Sequence, residues 1–211
     1  MRMRKKKNRE SRIERCDELL IHEPFPKSKW NNVFNNQNPI YMEIGCGKGG
    51  FITGLALQNP DINFIAIEKC VDVIILALEK TKNLGINNIK FILGDATILE
   101  DIIAPGELCR IYINFCDPWH KSKHAKRRLT HSNFLNMYRN LLEPVHGELH
   151  FKTDNAQLFE FSLNEFSNDN LKLRNITLDL HKSNFDGNIM TEYETLFSQQ
   201  GMPIYRCEVL F

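Results

Sequence analysis

From about residue 40 onward the chain alternates short apolar runs with longer stretches of helical period, and that alternation leaves few folds open to it. PIYMEIG reads as a short buried strand running into glycines. GFITGLALQN follows as a helix stopped by Pro60, since proline lacks the N–H a helical ladder needs. NFIAIEK is a second strand, and VDVIILALEKTKNLG a second helix with Gly85 at its end. NIKFILGDA and CRIYINFCD supply a third and a fourth strand. FLNMYRNLLEP puts Phe134, Leu135, Tyr138, Leu141 and Leu142 on one helical face, closed by Pro144. GELHFKTD is a fifth strand, NAQLFEFSLNEF a helix, LKLRNITLDL a sixth strand and PIYRCEVLF a last one. Strands alternating with helices imply an α/β fold, a doubly wound and mostly parallel sheet covered on both faces. Only a short helical segment around Tyr193 to Phe197 precedes the last strand, so the final two strands are candidates for antiparallel pairing.

Bulk properties set the outer bounds. A chain of 211 residues, 42% of them hydrophobic, suits a single domain over residues 1–211. Its formal net charge is +1, so only the distribution of charge speaks of partners. The opening MRMRKKKNRESRIER sets eight Lys and Arg against Glu10 and Glu14, and reads as a basic, flexible arm over about residues 1–15. No apolar run approaches the roughly 20 residues of a membrane span, and the N-terminus lacks the apolar stretch of a signal peptide. Cys16, Cys46, Cys70, Cys109, Cys116 and Cys207 form no CxxC pair and read as free thiols of a cytoplasmic protein. Cys116, His120 and His124 are spaced four apart, but Pro118 interrupts them, and no metal is expected there. No apolar stripe is surplus to the core, which leaves monomer and homodimer both open.

YMEIGCGKGGF carries glycines directly after the first strand, in the turn where doubly wound sheets bind ligands. Gly45-x-Gly47-x-x-Gly50 formally satisfies the dinucleotide fingerprint, so a nicotinamide-dependent oxidoreductase is one reading. Three carboxylates weigh against it. Glu43 lies two residues before Gly45, Glu68 ends the second strand, and Asp95 ends the third. Carboxylates repel a pyrophosphate but favour a cofactor bearing a sulfonium and an ammonium, which points to S-adenosylmethionine. Each acid has a plainer alternative as a helix cap.

The most unusual stretch is NFCDPWHKSKHAKRRLTH, residues 114–131. Asp117 heads a cationic run that meets no further acid until Glu143. That pattern suits a carboxylate at a reaction centre with cations holding a polyanion beside it. Trp119 offers a flat face on which a base can stack, or it belongs to the core. A non-catalytic RNA-binding module would show the same basic run.

The pattern Glu43-x-Gly45-x-Gly47-x-Gly49 resembles the first motif of class I S-adenosylmethionine-dependent methyltransferases. DPWHKSKHAKRRLTH, HFKTDN and TEYE resemble segments of the bacterial tRNA (guanine-N7-)-methyltransferase family, with His120 where that family commonly has a second proline. The resemblance implies a Rossmann-like, seven-stranded, mostly parallel sheet with an antiparallel last strand, methylating a guanine N7 in the tRNA variable loop. It further implies that Glu43, Gly45, Gly47, Glu68, Asp95 and Asp117 line the cofactor site and that Asp117 is catalytic. Lys121, Asp154, Thr191, Glu192, Tyr193 and Glu194 would contact the substrate. Lys123, His124, Ala125, Lys126, Arg127 and Arg128 would touch RNA.

Overall fold

The computed structural model describes residues 8–211, so residues 1–7 of the expected arm lie outside the described residues. Its strands are β1 (Ile40–Ile44), β2 (Asn63–Glu68), β3 (Ile89–Leu93), β4 (Arg110–Asn114), β5 (Glu148–Thr153), β6 (Lys172–Thr177) and β7 (Tyr205–Leu210). They form one sheet in the order β3-β2-β1-β4-β5-β7-β6. β7 pairs antiparallel with both β5 and β6. The expected antiparallel last strand is therefore present. The chain divides after Ala104 into two compact units.

In the first unit, β1, β2 and β3 pair in parallel with Ile44 opposite Ile67 and Glu68 opposite Leu93. Met42, Phe64, Ile65, Ala66, Ile67, Ile89, Phe91 and Ile92 are fully buried. Continuous apolar character is what a strand covered on both faces requires. Helices α1 (Arg9–Glu14), α2 (Trp30–Phe34), α3 (Gly50–Gln58), α4 (Val71–Asn83) and α5 (Leu99–Ile102) belong to this unit. Residues 9–14 are not a frayed terminus. Ile13 packs on the core that includes Phe64, Ile74, Leu78 and Phe91. Arg12 donates from Nε at 2.7 Å to Glu79 on α4. A basic stretch becomes helix here because a tertiary partner neutralises it. Trp30 is fully buried and satisfies its indole N–H on the Ile102 carbonyl at 3.1 Å.

The second unit holds helices α6 (Ser132–Leu141), α7 (Ala156–Asn168) and α8 (Glu192–Gln199). One face of its strands is apolar: Ile111, Ile113, Leu149, Phe151, Cys207 and Val209 are buried, and Phe151 stacks on Phe159 of α7 at 6.1 Å. The opposite face of these strands is polar. Register places Arg110 opposite Glu148, Tyr112 opposite His150, His150 opposite Glu208 and Arg174 opposite Glu208. The strict polar-apolar alternation of ELHFKT and YRCEVL is the local cause, since period two sends successive side chains to opposite faces. No helix among the described residues is long and apolar enough to cross a membrane.

These charges are tightly paired. Glu148 accepts from Arg110 and from His150, each at 2.9 Å, and from Arg174. Glu208 accepts from Arg206, Arg174 and Asn175. The His150 hydrogen bond, opposed by burial and joined by the charges of Arg110 and Arg174, holds the Glu148 carboxyl down at about 2. Burial pushes Glu208 up, but hydrogen bonds from Arg206 and Arg174 outweigh it, leaving it at about 2 as well. Burial depresses His150, against the pull of the Glu148 hydrogen bond. Both carboxyls are lowered from an ordinary 4.5, so their stabilisation is complete above that value and drains away as pH falls from 4.5 toward 2. Thermal unfolding followed across this window is expected to show a falling midpoint in the native protein and a flatter profile in Glu148→Gln.

Candidate active site

The glycine loop occupies the carboxyl edge of β1. Its turn is held by Gly45 and Cys46 N–H groups donating to the Ile67 carbonyl at 2.8 and 3.1 Å. Gly45 and Gly47 have φ of +78° and +57°, and a Cβ at either would meet nothing within 4 Å. Glycine is thus needed for the backbone bend, while the space above the loop stays open to a ligand. Gly49 is different: a Cβ there would lie 2.8 Å from the Ala77 Cβ, so α3 approaches α4 only over a glycine.

Glu68 ties this loop to β2. Its Oε2 accepts from the Gly47 N–H at 3.1 Å and its Oε1 from the Cys70 N–H at 2.8 Å. A carboxylate has about four acceptor positions, so it keeps capacity for ligand hydroxyls. The Gly94 N–H donates to the Glu68 carbonyl at 3.1 Å, which brings the end of β3 alongside. Asp95 is exposed there and caps the next turn, Oδ1 accepting from the Thr97 N–H at 3.1 Å. Glu43 is 1% exposed and lies within β1 beneath the loop.

The second unit presents its own carboxyl edge. The turn after β4 is strained at both ends, with φ of +53° at Phe115 and +44° at Trp119. Bulky residues in this region cost of order 1–3 kcal/mol each and persist only where the surroundings hold them. Between them stands Asp117, exposed. The Phe115 N–H donates to the Lys152 carbonyl at 2.9 Å, so this turn begins beside the end of β5. Asp154 follows β5, half-buried, and its carboxylate has no hydrogen-bond or ion-pair partner among the described residues.

A short 3-10 helix, Ser122–Arg127, carries the cations. Lys121, Lys123, Lys126 and Arg127 are exposed, whereas His124 and Ala125 are half-buried. The Trp119 ring is half-buried under its own cations: the Arg127 guanidinium lies 4.9 Å above it and the His124 ring meets it edge-on at 5.7 Å. The arrangement is an exposed carboxylate on a strained turn, followed at once by exposed positive charge.

A buried ion pair supports the same edge. Lys152 of β5 is 4% exposed and Glu194 of α8 is 0% exposed. Lys152 Nζ donates to Glu194 at 2.6 Å and to the Asn188 side chain and the Ile189 carbonyl, each at 3.0 Å. Asn188 donates to the other Glu194 oxygen at 2.6 Å, and His181 lies 3.2 Å from it. The loop before α8 is therefore fastened to β5.

Residues 37–207 match a family described as putative methyltransferase. Over 210 residues the chain is 51% identical to the tRNA (guanine-N(7)-)-methyltransferase of Clostridioides difficile (strain 630), covering 99% of this chain and 98% of that one. It is 50% identical to the enzyme of the same name from Bacillus subtilis (strain 168), with the same coverage. This chain belongs to the tRNA (guanine-N(7)-)-methyltransferase family.

Solved structures carry the fold alone. A 16S rRNA methyltransferase, KamB, superposes with a TM-score of 0.66 at 9% identity, covering 89% of this chain and 95% of that one. A 30S ribosomal A1408 methyltransferase from an uncultured bacterium gives 0.58 at 15% identity, covering 87% and 92%. The fold is that of the class I methyltransferases. Membership of the family leaves the oxidoreductase and the non-catalytic module without support.

Set against this tRNA (guanine-N(7)-)-methyltransferase framework, the expected residues fall into three groups. Glu43, Gly45, Gly47, Glu68 and Asp95 gather at one edge of the first unit. Asp117, Lys121 and Asp154 lie around the β4 and β5 ends of the second. The third group is the basic run over residues 123–128 together with the stretch 191–194. Thr191 caps α8, its side chain accepting from the Glu194 N–H at 2.9 Å. Glu194 is spent on Lys152, and so it anchors the loop rather than facing a substrate. Of that stretch, Glu192 and Tyr193 are the exposed members. The T-x-x-E spacing is itself a helix-capping signature and was a legible sign of the Thr191 role. Lys152 stood inside HFKTDN without a role, because a lysine in a strand gives no local hint of its partner. Among the described residues no group of three or more His, Cys, Asp or Glu side chains is placed to hold a metal.

Proposed function

We propose that this protein transfers a methyl group from S-adenosylmethionine to N7 of a guanine in the tRNA variable loop, in the cytoplasm, as a monomer or a homodimer. The observation that carries the proposal is identity near one half to tRNA (guanine-N(7)-)-methyltransferases from end to end of the chain. The residues of the first unit fit the cofactor. Gly45 and Gly47 leave open space over the loop, and Glu68 and exposed Asp95 stand at adjacent strand ends where a cation and ribose hydroxyls are welcome. Glu43 is buried in β1, two residues before Gly45. When bound, S-adenosylmethionine supplies an electrophilic methyl group on a sulfonium.

Guanine N7 already presents an in-plane lone pair, so no proton has to leave before it attacks. A strong general base is unnecessary, and orientation becomes the main lever, worth up to about 7–11 kcal/mol in the best intramolecular cases. Asp117 accepts from the guanine N1–H and 2-amino group and opposes the positive charge that builds on the ring. Asp154 offers a second open acceptor for the same donor edge. Lys121, Lys123, Lys126 and Arg127 bind phosphates, which positions the tRNA without reading its sequence. The target base is turned out of its stack to reach the methyl group. Incubation with labelled S-adenosylmethionine and unmodified tRNA, followed by nucleoside mapping, is expected to yield 7-methylguanosine in the variable loop. Label on an exocyclic amine, or no label, overturns the proposal.

A further inference from the structure

The turn bearing Asp117 is strained at both ends, and one side chain restrains it. Arg128 Nε donates to the Pro118 carbonyl at 3.0 Å, and its Nη2 donates to the Trp119 carbonyl at 3.1 Å. The same guanidinium lies 4.2 Å over the Phe161 ring of α7. Arg128 is half-buried, unlike exposed Lys126 and Arg127 immediately before it. Its backbone is also held, N–H donating to the Ala125 carbonyl at 2.9 Å and carbonyl accepting from the His131 N–H at 3.0 Å. Both carbonyls belong to residues directly after Asp117, one of them the strained Trp119. The planar fork of a guanidinium fits two consecutive carbonyls, and a lysine ammonium, a single point charge, does not reproduce it.

We infer that Arg128 is a positioning residue for methyl transfer, not a phosphate ligand: it clamps the Pro118 and Trp119 carbonyls and so fixes where the Asp117 carboxylate points. Its neighbours in the basic run bind RNA, and Arg128 turns inward to hold the turn from which they extend. This rests on the methyltransferase reading above. A displacement of about 1 Å in a reacting geometry can cost about 10²-fold in rate, so loosening the turn is felt in the chemical step.

Arg128→Lys keeps the charge but loses the fork. Its single-turnover rate on saturating tRNA is expected to fall by about 10²-fold, with tRNA affinity and its salt dependence unchanged. Lys126→Ala, at a residue assigned to phosphate, is expected to weaken tRNA binding and lower the salt slope by about one. A wild-type rate in Arg128→Lys, or a loss confined to tRNA affinity with a smaller salt slope, overturns the inference. Should Arg128→Lys fail to fold, the native protein decides. Its Arg128 Nε–H resonance, assigned through bonds from the backbone, is expected to exchange slowly and to stay in place when tRNA is added. A resonance that exchanges freely, or that moves with tRNA, overturns the clamp. Absence of 7-methylguanosine with the native protein would count against the methyltransferase reading, and the resonance still tests Arg128.

Discussion

Replacing Asp117 by alanine is expected to cut methyl transfer by about 10²–10³-fold, the range typical of removing one preorganised group that faces developing charge. The thermal midpoint should change little, because the side chain is exposed. Cofactor affinity should fall only modestly, since Glu68 and Asp95 remain. Asp117→Asn separates the two parts assigned to the carboxylate. The amide oxygen still accepts from the guanine donor edge but carries no charge to oppose the cation forming on the ring. It is expected to recover part of the loss and not all of it. Single-turnover rates with bound tRNA, taken beside equilibrium binding, are the measurement. Full activity in the alanine variant would remove Asp117 from the mechanism.

The largest effect on stability is expected at Lys152 and Glu194. Truncating either to alanine leaves the other charge buried without its counterpart, and breaking a buried pair in this way costs about 3–5 kcal/mol. For a chain of this size each kcal/mol moves the thermal midpoint by roughly 2–4 °C, so a drop of roughly 6–20 °C is expected. Replacing both together, Lys152→Met with Glu194→Leu, should cost less than either single change, because no orphaned charge remains. The double variant still lacks the hydrogen bonds to Asn188 and Ile189. The loop before α8 should then become open to limited proteolysis even where the midpoint recovers. A double-variant loss equal to the sum of the two single losses would mean that the pair is not coupled.

Much of this protein was legible before its structure. The strand-helix alternation, the proline and glycine stops and the apolar runs of β1, β2 and β3 follow from local rules, because a strand buried on both faces must be apolar throughout. The glycine loop with Glu68 and Asp95 was equally visible, since strand ends and turns are short-range features. The alternation in β5 and β7 marks a polar face as well.

Tertiary structure alone settled the partners of the charged side chains. Glu194 in TEYE looked like an acceptor for a substrate until its pairing with Lys152, 42 residues earlier, placed it in the interior. Arg128 looked like one more cation of a basic run until its guanidinium was seen on the Pro118 and Trp119 carbonyls. Arg12 looked like part of a loose arm until Glu79 held it. Periodicity along a chain encodes which face of an element is buried, because that depends on each residue's own transfer from water. A charged side chain's partner depends on which distant segments the packed sheet brings to one edge, and no local pattern of residues carries that information.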